Sequence, residues 1–362
     1  MVAGDPHQGG ASWAVLQYVL GLQALGHEVH LIEPVDRIEP VSARYFEDLV
    51  AAFGLDGRAA LLVRGGRETL GVSYEGLVRA ADEADLLLNV SGMLRDERLV
   101  TAPPVRVYLD LDPAFIQLWH AVEGIDMGLD AHNRFVTVGL ELGRPNCPVP
   151  TCGREWIGTV PPVVLSRWEQ SAHVESGVFT TVANWRGYGS VEWDGVQYGQ
   201  KAHSLRKLMD LPQRTGERVA LALAIHPDEI RDLTALRRHG WELVDPKQAA
   251  GSPAGYMDFV RGSKGELGIA KSGYVESRCG WFSDRSACYL ASGRPVVAQE
   301  TGFSRHLPMG EGLLSFATAA QAAAAMDEVA GDYARHSRAA RELAESTLDS
   351  ALVLGRLLER VA

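Results

Sequence analysis

Apolar positions along this chain recur with two periods, one typical of amphipathic helices and one of buried strands. A wide apolar face at helical spacing predicts a helix over residues 11–25, which Gly26 ends. Residues 27–33 have the pattern of the strand that follows. Only a stub of the strand expected before this helix is present, so we expect that the chain begins inside that strand or that its start codon was assigned late.

Short apolar runs separated by helical segments continue toward the C-terminus. The strands predicted in the first half are 59–63, 85–90, 105–109 and 135–138. Those predicted in the second half are 178–182, 218–225, 241–244, 267–270 and 295–298, with helices at 201–209, 227–239, 256–261 and 284–291. Strands that alternate with helices are typical of parallel sheets covered by helices on both faces. The sequence therefore predicts an α/β fold in which two Rossmann-like, doubly wound parallel-sheet domains face a cleft.

Chain length and local composition predict where the domains divide. With 362 residues the chain exceeds what one compact core usually serves. The two prolines at 161–162 and the polar run 169–176 are typical of a linker. We therefore expect an N-terminal domain over residues 1–170, a C-terminal domain over 171–345, and a final helix over 346–362 that packs back on the N-terminal domain.

The composition of the chain indicates which binding partners and which cellular location to expect. The formal net charge is −11, and an acidic chain is a poor candidate for binding nucleic acid through a broad basic face. No apolar stretch reaches the roughly 20 residues that span a bilayer, and the N-terminus lacks the charged segment and apolar run of a signal peptide. We expect a cytoplasmic protein without an integral membrane segment, and the sequence leaves open whether it is a monomer or a homodimer.

The most informative stretch for chemistry runs from residue 271 to residue 285 and ends at the start of a predicted helix. The first amides of a helix and its dipole attract anions, and Ser283 can cap such a helix or donate to phosphate. Arg and Lys side chains supply charge, and Gly280 lets the backbone come close to a ligand. This combination predicts a diphosphate site. The candidate binding residues of the second half are Asn184, Arg186, Lys201, Lys271, Gly273, Glu276, Arg278, Gly280, Trp281, Ser283, Asp284, Arg285, Glu300 and Thr301.

Two segments of the second half resemble a known enzyme family. The run Cys279-Gly280-Trp281-Phe282-Ser283 resembles the HCGWNS element of GT-B glycosyltransferases, with Arg278 where the family has His. Residues 293–298 are similar to the strand that follows the donor-binding helix in those enzymes. The resemblance implies a GT-B fold and transfer of a sugar from a nucleoside diphosphate sugar, such as a UDP or TDP sugar, to a small molecule or glycan.

The resemblance also implies residue roles. In several GT-B families an Arg and a Lys from the start of the second domain bind the donor phosphates, which points to Arg186 and Lys201, and a carboxylate at the position of Glu300 contacts the donor sugar. Positive side chains and a helix dipole replace a divalent cation in those enzymes, so we expect neither a metal nor a cofactor beyond the nucleotide sugar. The paired Glu residues of retaining members are absent, because Gly280 and Cys288 stand at those positions. The stereochemical course therefore stays open.

Catalytic candidates lie in the first half. His7 stands close to where many inverting GT-B enzymes hold a catalytic His, and the loop Gln8-Gly9-Gly10 lets the backbone approach the acceptor or the donor phosphate. Asp110 and Asp112 end a strand that we expect to face the same cleft, so one of them is a candidate general base or a group that orients His7. Although they have the spacing of a metal-binding DxD element, their place outside the predicted diphosphate site indicates an acceptor-side or structural role.

Two other functions remain open on these grounds. A nucleotide-sugar epimerase of the same fold would reorganise the donor without an acceptor, and several carboxylates around the donor sugar would favour it. Only Glu276 and Glu300 qualify. A non-catalytic nucleotide-sugar-binding protein is compatible with the missing retaining signature and the short first strand.

Overall fold

The computed structural model describes residues 2–170, 174 and 177–362, so most of the predicted linker at 169–176 lies outside the described residues. Helices of the first half are α1 Gly9–Ala24, α2 Pro40–Phe53, α3 Tyr74–Glu83, α4 Glu97–Thr101 and α5 Phe115–Ala121. Its strands are β1 Leu31–Val35, β2 Ala59–Val63, β3 Thr69–Gly71, β4 Leu86–Val90, β5 Val105–Asp110, β6 Arg134–Thr137 and β7 Trp156–Gly158. Alternating helices and parallel strands confirm the predicted α/β class.

The strands of the first half form two sheets. In the three-stranded sheet β1 is parallel to β2, and β3 runs antiparallel to β2. The other sheet contains β4, β5, β6 and β7, all parallel and in sequence order. Strand pairing also explains why β1 begins at Leu31 rather than at residue 27. Its partner β2 begins only at Ala59, and the Leu31 amide donates to the Arg58 carbonyl just before it (2.8 Å).

The second half is built on one larger sheet. Its strands are β8 Val178–Asn184, β9 Val191–Trp193, β10 Val196–Tyr198, β11 Arg218–Ala224, β12 Glu242–Val244, β13 Gly265–Gly268, β14 Val296–Gln299 and β15 Leu313–Phe316. Six of them are parallel in the order β12-β11-β8-β13-β14-β15, while β9 and β10 form a separate hairpin. The order reverses between β8 and β13. In open α/β sheets, ligands bind beyond the carboxyl ends of the strands at such a switch point.

Helices cover this sheet. They are α6 Lys201–Lys207, α7 Ile230–Arg238, α8 Pro246–Ala250, α9 Pro253–Gly262, α10 Ser272–Ser277, α11 Asp284–Ala291, α12 Ala319–Gly331 and α13 Tyr333–Leu343. The final helix, α14 Ser350–Val361, instead shares a hydrophobic cluster with β5 and β6 of the first half. The sequence missed α10, because six residues are too few to show a helical period. Arg278 ends α10 in the left-handed region (φ 49°). The helix predicted from residue 227 begins at Ile230 instead, since a turn in which the Glu229 amide donates to His226 precedes it.

The two halves share a hydrophobic core. Helix α1 packs against α9 and α11 of the second half, and α14 lies against α1. Trp13 of α1 meets Trp168 edge-on, and Trp168 meets Tyr256 of α9 in the same way. The chain crosses between the halves at two neighbouring places, where Val163 and Asp349 form an isolated bridge. The two crossings therefore lie side by side.

Two kinds of feature are absent from the described part of the chain. No helix there combines the length and apolar character needed to cross a bilayer. No three His, Cys, Asp or Glu side chains there stand close enough to share a metal ion. The four cysteines are free thiols, and Cys147, Cys279 and Cys288 are buried.

Candidate functional site

Three basic side chains meet at the switch point of the second sheet. Lys201 begins α6, Lys271 precedes α10, and Arg285 lies in the first turn of α11. Lys201 is only 8% exposed. Its burial, and then repulsion by Arg285 and Lys271, hold the pKa of Lys201 well below its usual value. No hydrogen bond or ion pair joins the Lys201 ammonium to another residue of the described ranges, and the carboxyl groups of Glu266 and Asp284 oppose the pKa shift only through space.

Arg285 is only partly satisfied by the protein. Its Nε donates to Oε1 of the fully buried Glu266 (2.5 Å), and its Nη1 donates to the Val182 carbonyl (3.2 Å). Arg285 Nη2 and Glu266 Oε2 are buried without a hydrogen-bond partner among the residues that the structure describes. Burial also raises the pKa of Asp284, which favours its neutral form. Unpartnered buried polar atoms beside Lys201 are typical of a place that holds water or a polar ligand.

The start of α11 carries the predicted cap. Ser283 is the N-cap residue, and its buried Oγ accepts a hydrogen bond from the Arg285 amide (3.2 Å). The cap satisfies one of the first amides of the helix and leaves the dipole of α11 directed at the basic cluster. The sequence predicted both the cap and the helix start.

Gly280 and Gly273 have a different role from the predicted approach to a ligand. A Cβ built on Gly280, which has φ +78°, would lie 2.6 Å from the Glu141 amide nitrogen. A Cβ on Gly273 would lie 2.5 Å from Cζ of Phe115. At both positions, atoms of the first half fill the space that a side chain would need. The expectation that Gly280 lets the backbone come close to a diphosphate was therefore wrong. A glycine indicates a close approach without saying what approaches.

The same correction applies to Gly9 and Gly10. A Cβ on Gly9 would lie 2.1 Å from the Ser252 carbonyl oxygen, and one on Gly10 would lie 2.9 Å from the Tyr256 ring. These positions allow α1 to pack on the start of α9, and protein atoms occupy the space expected for an acceptor or a phosphate. Gln8 precedes them, and its side chain donates to Asp5 in an exposed loop.

Asp112 lies at the contact between the halves. Its carboxylate accepts hydrogen bonds from Lys271 Nζ at 3.1 and 3.0 Å, and from the hydroxyls of Tyr188 and Tyr274. The Lys271 ammonium also lies 4.2 Å from the Tyr188 ring centroid and 5.1 Å from that of Phe115. The aromatic rings therefore surround an ion pair that joins the two halves, and Lys271 is engaged by Asp112 here.

Asp110 does not face the cleft, contrary to the prediction. It is fully buried, and its carboxylate accepts from Gln117 Nε2 (2.9 Å), Thr137 Oγ1 (2.8 Å) and the Asp112 amide (2.9 Å). Burial raises the pKa of Asp110 to about 7 although these hydrogen bonds oppose the shift. Because both of its oxygens are occupied inside the protein, Asp110 holds the turn that carries Asp112 and cannot meet an acceptor.

His7 lies in the loop before α1. It is exposed, adopts φ +67°, and meets the Tyr45 ring edge-on with centroids 5.6 Å apart. Its place at the start of α1 is the one the sequence predicted. No hydrogen bond joins His7 to either Asp110 or Asp112 among the described contacts, so its catalytic role stays a prediction.

Several predicted binding residues lie outside the basic cluster. Arg186 is exposed and pairs with Glu229 (2.6 Å). Glu276 is exposed and pairs with Lys207 (3.1 Å) on the outer face of α10. Asn184 and Arg278 are also exposed. An exposed ion pair contributes little to binding or stability, so Arg186 and Glu276 fit a surface role better than the predicted contacts with the donor.

Two residues that follow β14, Glu300 and Thr301, have different roles. Glu300 lines a groove, and Thr301 holds the backbone that precedes α11. Glu300 accepts a hydrogen bond from the Gly302 amide (2.6 Å) and lines a groove of about 360 Å³ beside β15 and α12. Thr301 is buried and donates from Oγ1 to the Trp281 carbonyl (2.6 Å). Trp281 stacks on Tyr274 with ring centroids 4.4 Å apart. Thr301 and Trp281 thus shape the backbone before α11 rather than the groove.

Sequence reasoning missed a second contact between the halves. Glu141 of the first half is 3% exposed, and its carboxylate accepts from His306 Nε2 (2.5 Å) and Arg305 Nη1 (3.1 Å) of the second half. The Glu141 amide also donates to the Cys279 carbonyl (2.9 Å). No local pattern relates two residues that are 165 positions apart. The one available signal was that Glu141 stands alone among apolar residues and glycines, which indicates a buried carboxylate with a partner elsewhere in the chain.

The sequence matches no protein-family model and no curated protein. Solved structures are similar in fold over nearly the whole chain. AviGT4, a glycosyltransferase involved in avilamycin A biosynthesis, is 16% identical, with a TM-score of 0.54 over 99% of this chain and 91% of its own. Anabaena HepE in complex with UDP-glucose is 11% identical, with a TM-score of 0.59 over 100% and 97%. Sucrose-phosphate synthase from Thermosynechococcus elongatus is 15% identical, with a TM-score of 0.55 over 100% and 97%.

These likenesses agree with the observed architecture. Two α/β halves meet at the switch point of the second sheet, and the basic cluster lies there. At such low identity the likeness establishes the fold and leaves the chemistry to the site. The chain therefore has the GT-B glycosyltransferase fold that the motifs of its second half predict.

Proposed function

We propose that this protein is a glycosyltransferase that moves a sugar from a nucleoside diphosphate sugar to a hydroxyl of an acceptor. The observation that carries the proposal is Lys201, a buried ammonium beside Arg285 and Lys271 with no anionic contact of its own among the described residues. Burying a charge without a partner is costly. Glu266 and Asp284 lie near enough to act on Lys201 without contacting it, and a bound diphosphate would supply an anion in direct contact, which is why the cluster suits an anionic ligand.

The same cluster makes a metal unnecessary. Lys201, Arg285 and the dipole of α11 converge on one place, and together they provide the positive charge that a divalent cation supplies in other transferases. Structures similar in fold support the ligand class: HepE was solved with UDP-glucose, and an alpha-glucosyltransferase was solved with UDP. For this chain the nucleotide, the metal independence and the acceptor are parts of the proposal.

Asp112 is the group that we propose as general base. In the transfer step the acceptor oxygen forms a bond to the anomeric carbon, and the bond from that carbon to the β-phosphate oxygen breaks. The proton of the acceptor hydroxyl passes to the Asp112 carboxylate, and the nucleoside diphosphate leaves with the bonding electrons, stabilised by Lys201 and Arg285. Asp112 is suited to this role because it is the carboxylate of the first half that meets the basic cluster.

The test is a transfer assay with UDP and TDP sugars, with and without a panel of hydroxyl acceptors, read by mass spectrometry. We expect nucleoside diphosphate and glycosylated product only when acceptor is present, and Asp112→Asn to lower the rate by about 100-fold or more. Asp130→Asn, an exposed carboxylate of the same half, is the control and should leave the rate unchanged. A changed sugar without acceptor would identify an epimerase, and binding without turnover would identify a non-catalytic protein.

A further inference from the structure

The ion pair between the halves joins the two parts of the proposed reaction. Asp112 comes from the first half, whereas its three donors, Lys271, Tyr188 and Tyr274, come from the second. The Asp112 and Lys271 side chains are 20% and 23% exposed, so water screens this pair only partly. In this arrangement both oxygens of Asp112 accept hydrogen bonds from the Lys271 ammonium, so the carboxylate is engaged within the protein.

Lys271 also belongs electrostatically to the basic cluster. It repels the buried Lys201, and its ammonium lies against the faces of Phe115, Tyr188 and Tyr274, which hold a cation without neutralising it. A diphosphate bound at Lys201 and Arg285 would place negative charge within electrostatic reach of Lys271. The ammonium then has two competing anionic partners, and a diphosphate carries more charge than one carboxylate.

We propose that the contact between Asp112 and Lys271 is a latch that the donor opens. When the nucleoside diphosphate binds, Lys271 moves its ammonium from Asp112 to the phosphates, and the freed carboxylate becomes available to the acceptor hydroxyl. This inference rests on the proposed function and deepens it. It orders the reaction, since the base becomes available only after the donor is bound.

Tyr188 and Tyr274 are positioning residues in this scheme. Both hydroxyls donate to Asp112, so they keep the carboxylate in place after Lys271 leaves. The Tyr188 hydroxyl also accepts a hydrogen bond from Lys271, so the test uses Tyr274→Phe, which keeps the ring beside Lys271 and removes only the hydroxyl. This variant should lower kcat while the KM for the donor stays unchanged, whereas damage confined to folding would lower the active fraction and leave kcat per active site intact.

The latch makes a prediction that a simple binding role does not. UDP is titrated calorimetrically into the wild-type protein, Asp112→Asn, Lys271→Met and the control Lys264→Met. Lys264 pairs with Glu217 at similar burial but at the other end of β13. Asp112→Asn should bind UDP about tenfold more tightly, because no carboxylate then competes for Lys271, and Lys271→Met about tenfold more weakly. Lys264→Met should bind like the wild type.

Two negative outcomes have different meanings. If the wild-type protein binds UDP and Asp112→Asn binds it no more tightly, the latch is wrong and the proposed function stands. If the wild-type protein binds neither UDP nor another nucleoside diphosphate, the proposed function fails and the latch fails with it. Thermal unfolding of each variant without nucleotide shows that it is folded, and a variant that fails to fold is replaced by Asp112→Ser or Lys271→Gln.

Discussion

Asp110 and Lys201 are both buried ionisable side chains, yet their surroundings give them opposite roles. Asp110 has hydrogen bonds at both carboxylate oxygens from within the first half. Lys201 has no hydrogen bond within the described ranges, and repulsion by Arg285 and Lys271 outweighs the attraction of Glu266 and Asp284. A buried group that is satisfied internally serves the fold, whereas one that is left without a partner is available to a ligand. We therefore assign Asp110 to the fold and Lys201 to ligand binding from their hydrogen-bond partners rather than from their residue types.

Lys201→Met should therefore stabilise the ligand-free protein while it weakens the binding of nucleoside diphosphates. The pKa of Lys201 is lowered in the folded state, so the unfolded state binds the proton more tightly, and wild-type stability rises as the pH increases toward the usual lysine value. The variant lacks that rise. Urea unfolding at several pH values from 7 to 10 should show the advantage of Lys201→Met shrinking as the pH increases. Lys207→Met, an exposed lysine of the same helix, is the control, and an equal pH response in the two variants would contradict the prediction.

Asp110→Asn tests the role of the buried Asp110 carboxylate in the fold. Here the stability contributed by the wild-type side chain should fall as the pH rises, whereas for Lys201 it should rise. The pKa of Asp110 is raised from 3.8 to about 7, so between these values the folded state holds the proton more tightly than the unfolded state. Wild-type stability relative to the variant should then fall as the pH rises from about 4 to about 7. Asn also presents an NH₂ group to donors, so the variant should be less stable by about 1–3 kcal/mol at acidic pH. Urea unfolding across this range checks both effects, and parallel curves for the two proteins would refute the assignment.

At the scale of elements, helix α1 is positioned by two glycines that face α9. Gly9→Ala should destabilise the protein by about 2 kcal/mol or more, because its Cβ would lie 2.1 Å from a backbone carbonyl that cannot move aside cheaply. Gly355→Ala is the matched control in helix α14, where a Cβ meets nothing within 4 Å. That change should stabilise the protein by about 0.5–1 kcal/mol through helix propensity. Thermal unfolding distinguishes the two, and an equal effect at both positions would show that α1 does not pack as described.

Local sequence signals predicted most helices and strands correctly, but they did not predict which group packs against each glycine. The run of residues from Val296 to Gln299, the cap at Ser283 and the start of α11 are encoded within a few residues, so periodicity and capping rules found them. The short helix α10 carried too few residues for a period. Gly9, Gly10 and Gly280 were recognised as places of close approach, but the sequence does not contain the identity of the approaching group.

At the scale of the whole molecule, the site depends on contacts between residues far apart in sequence. Asp112 meets Lys271 across 159 positions, and Glu141 meets His306 across 165. The sequence named Asp112 and Lys271 separately, as an acceptor-side carboxylate and a phosphate ligand, without placing them together. Neither a period nor a motif relates such positions, since they meet only when both halves have folded and closed.

The central claim is that the second half binds a diphosphate through Lys201 and its neighbours. Calorimetric titration of the wild-type protein and Lys201→Met with UDP, UMP and uridine tests it most directly. The account predicts that UDP binds at least about tenfold more tightly than UMP, that uridine binds most weakly, and that Lys201→Met lowers the affinity for UDP to that for UMP. Equal affinities for UDP and uridine in the wild-type protein, or an unchanged affinity for UDP in Lys201→Met, would contradict it.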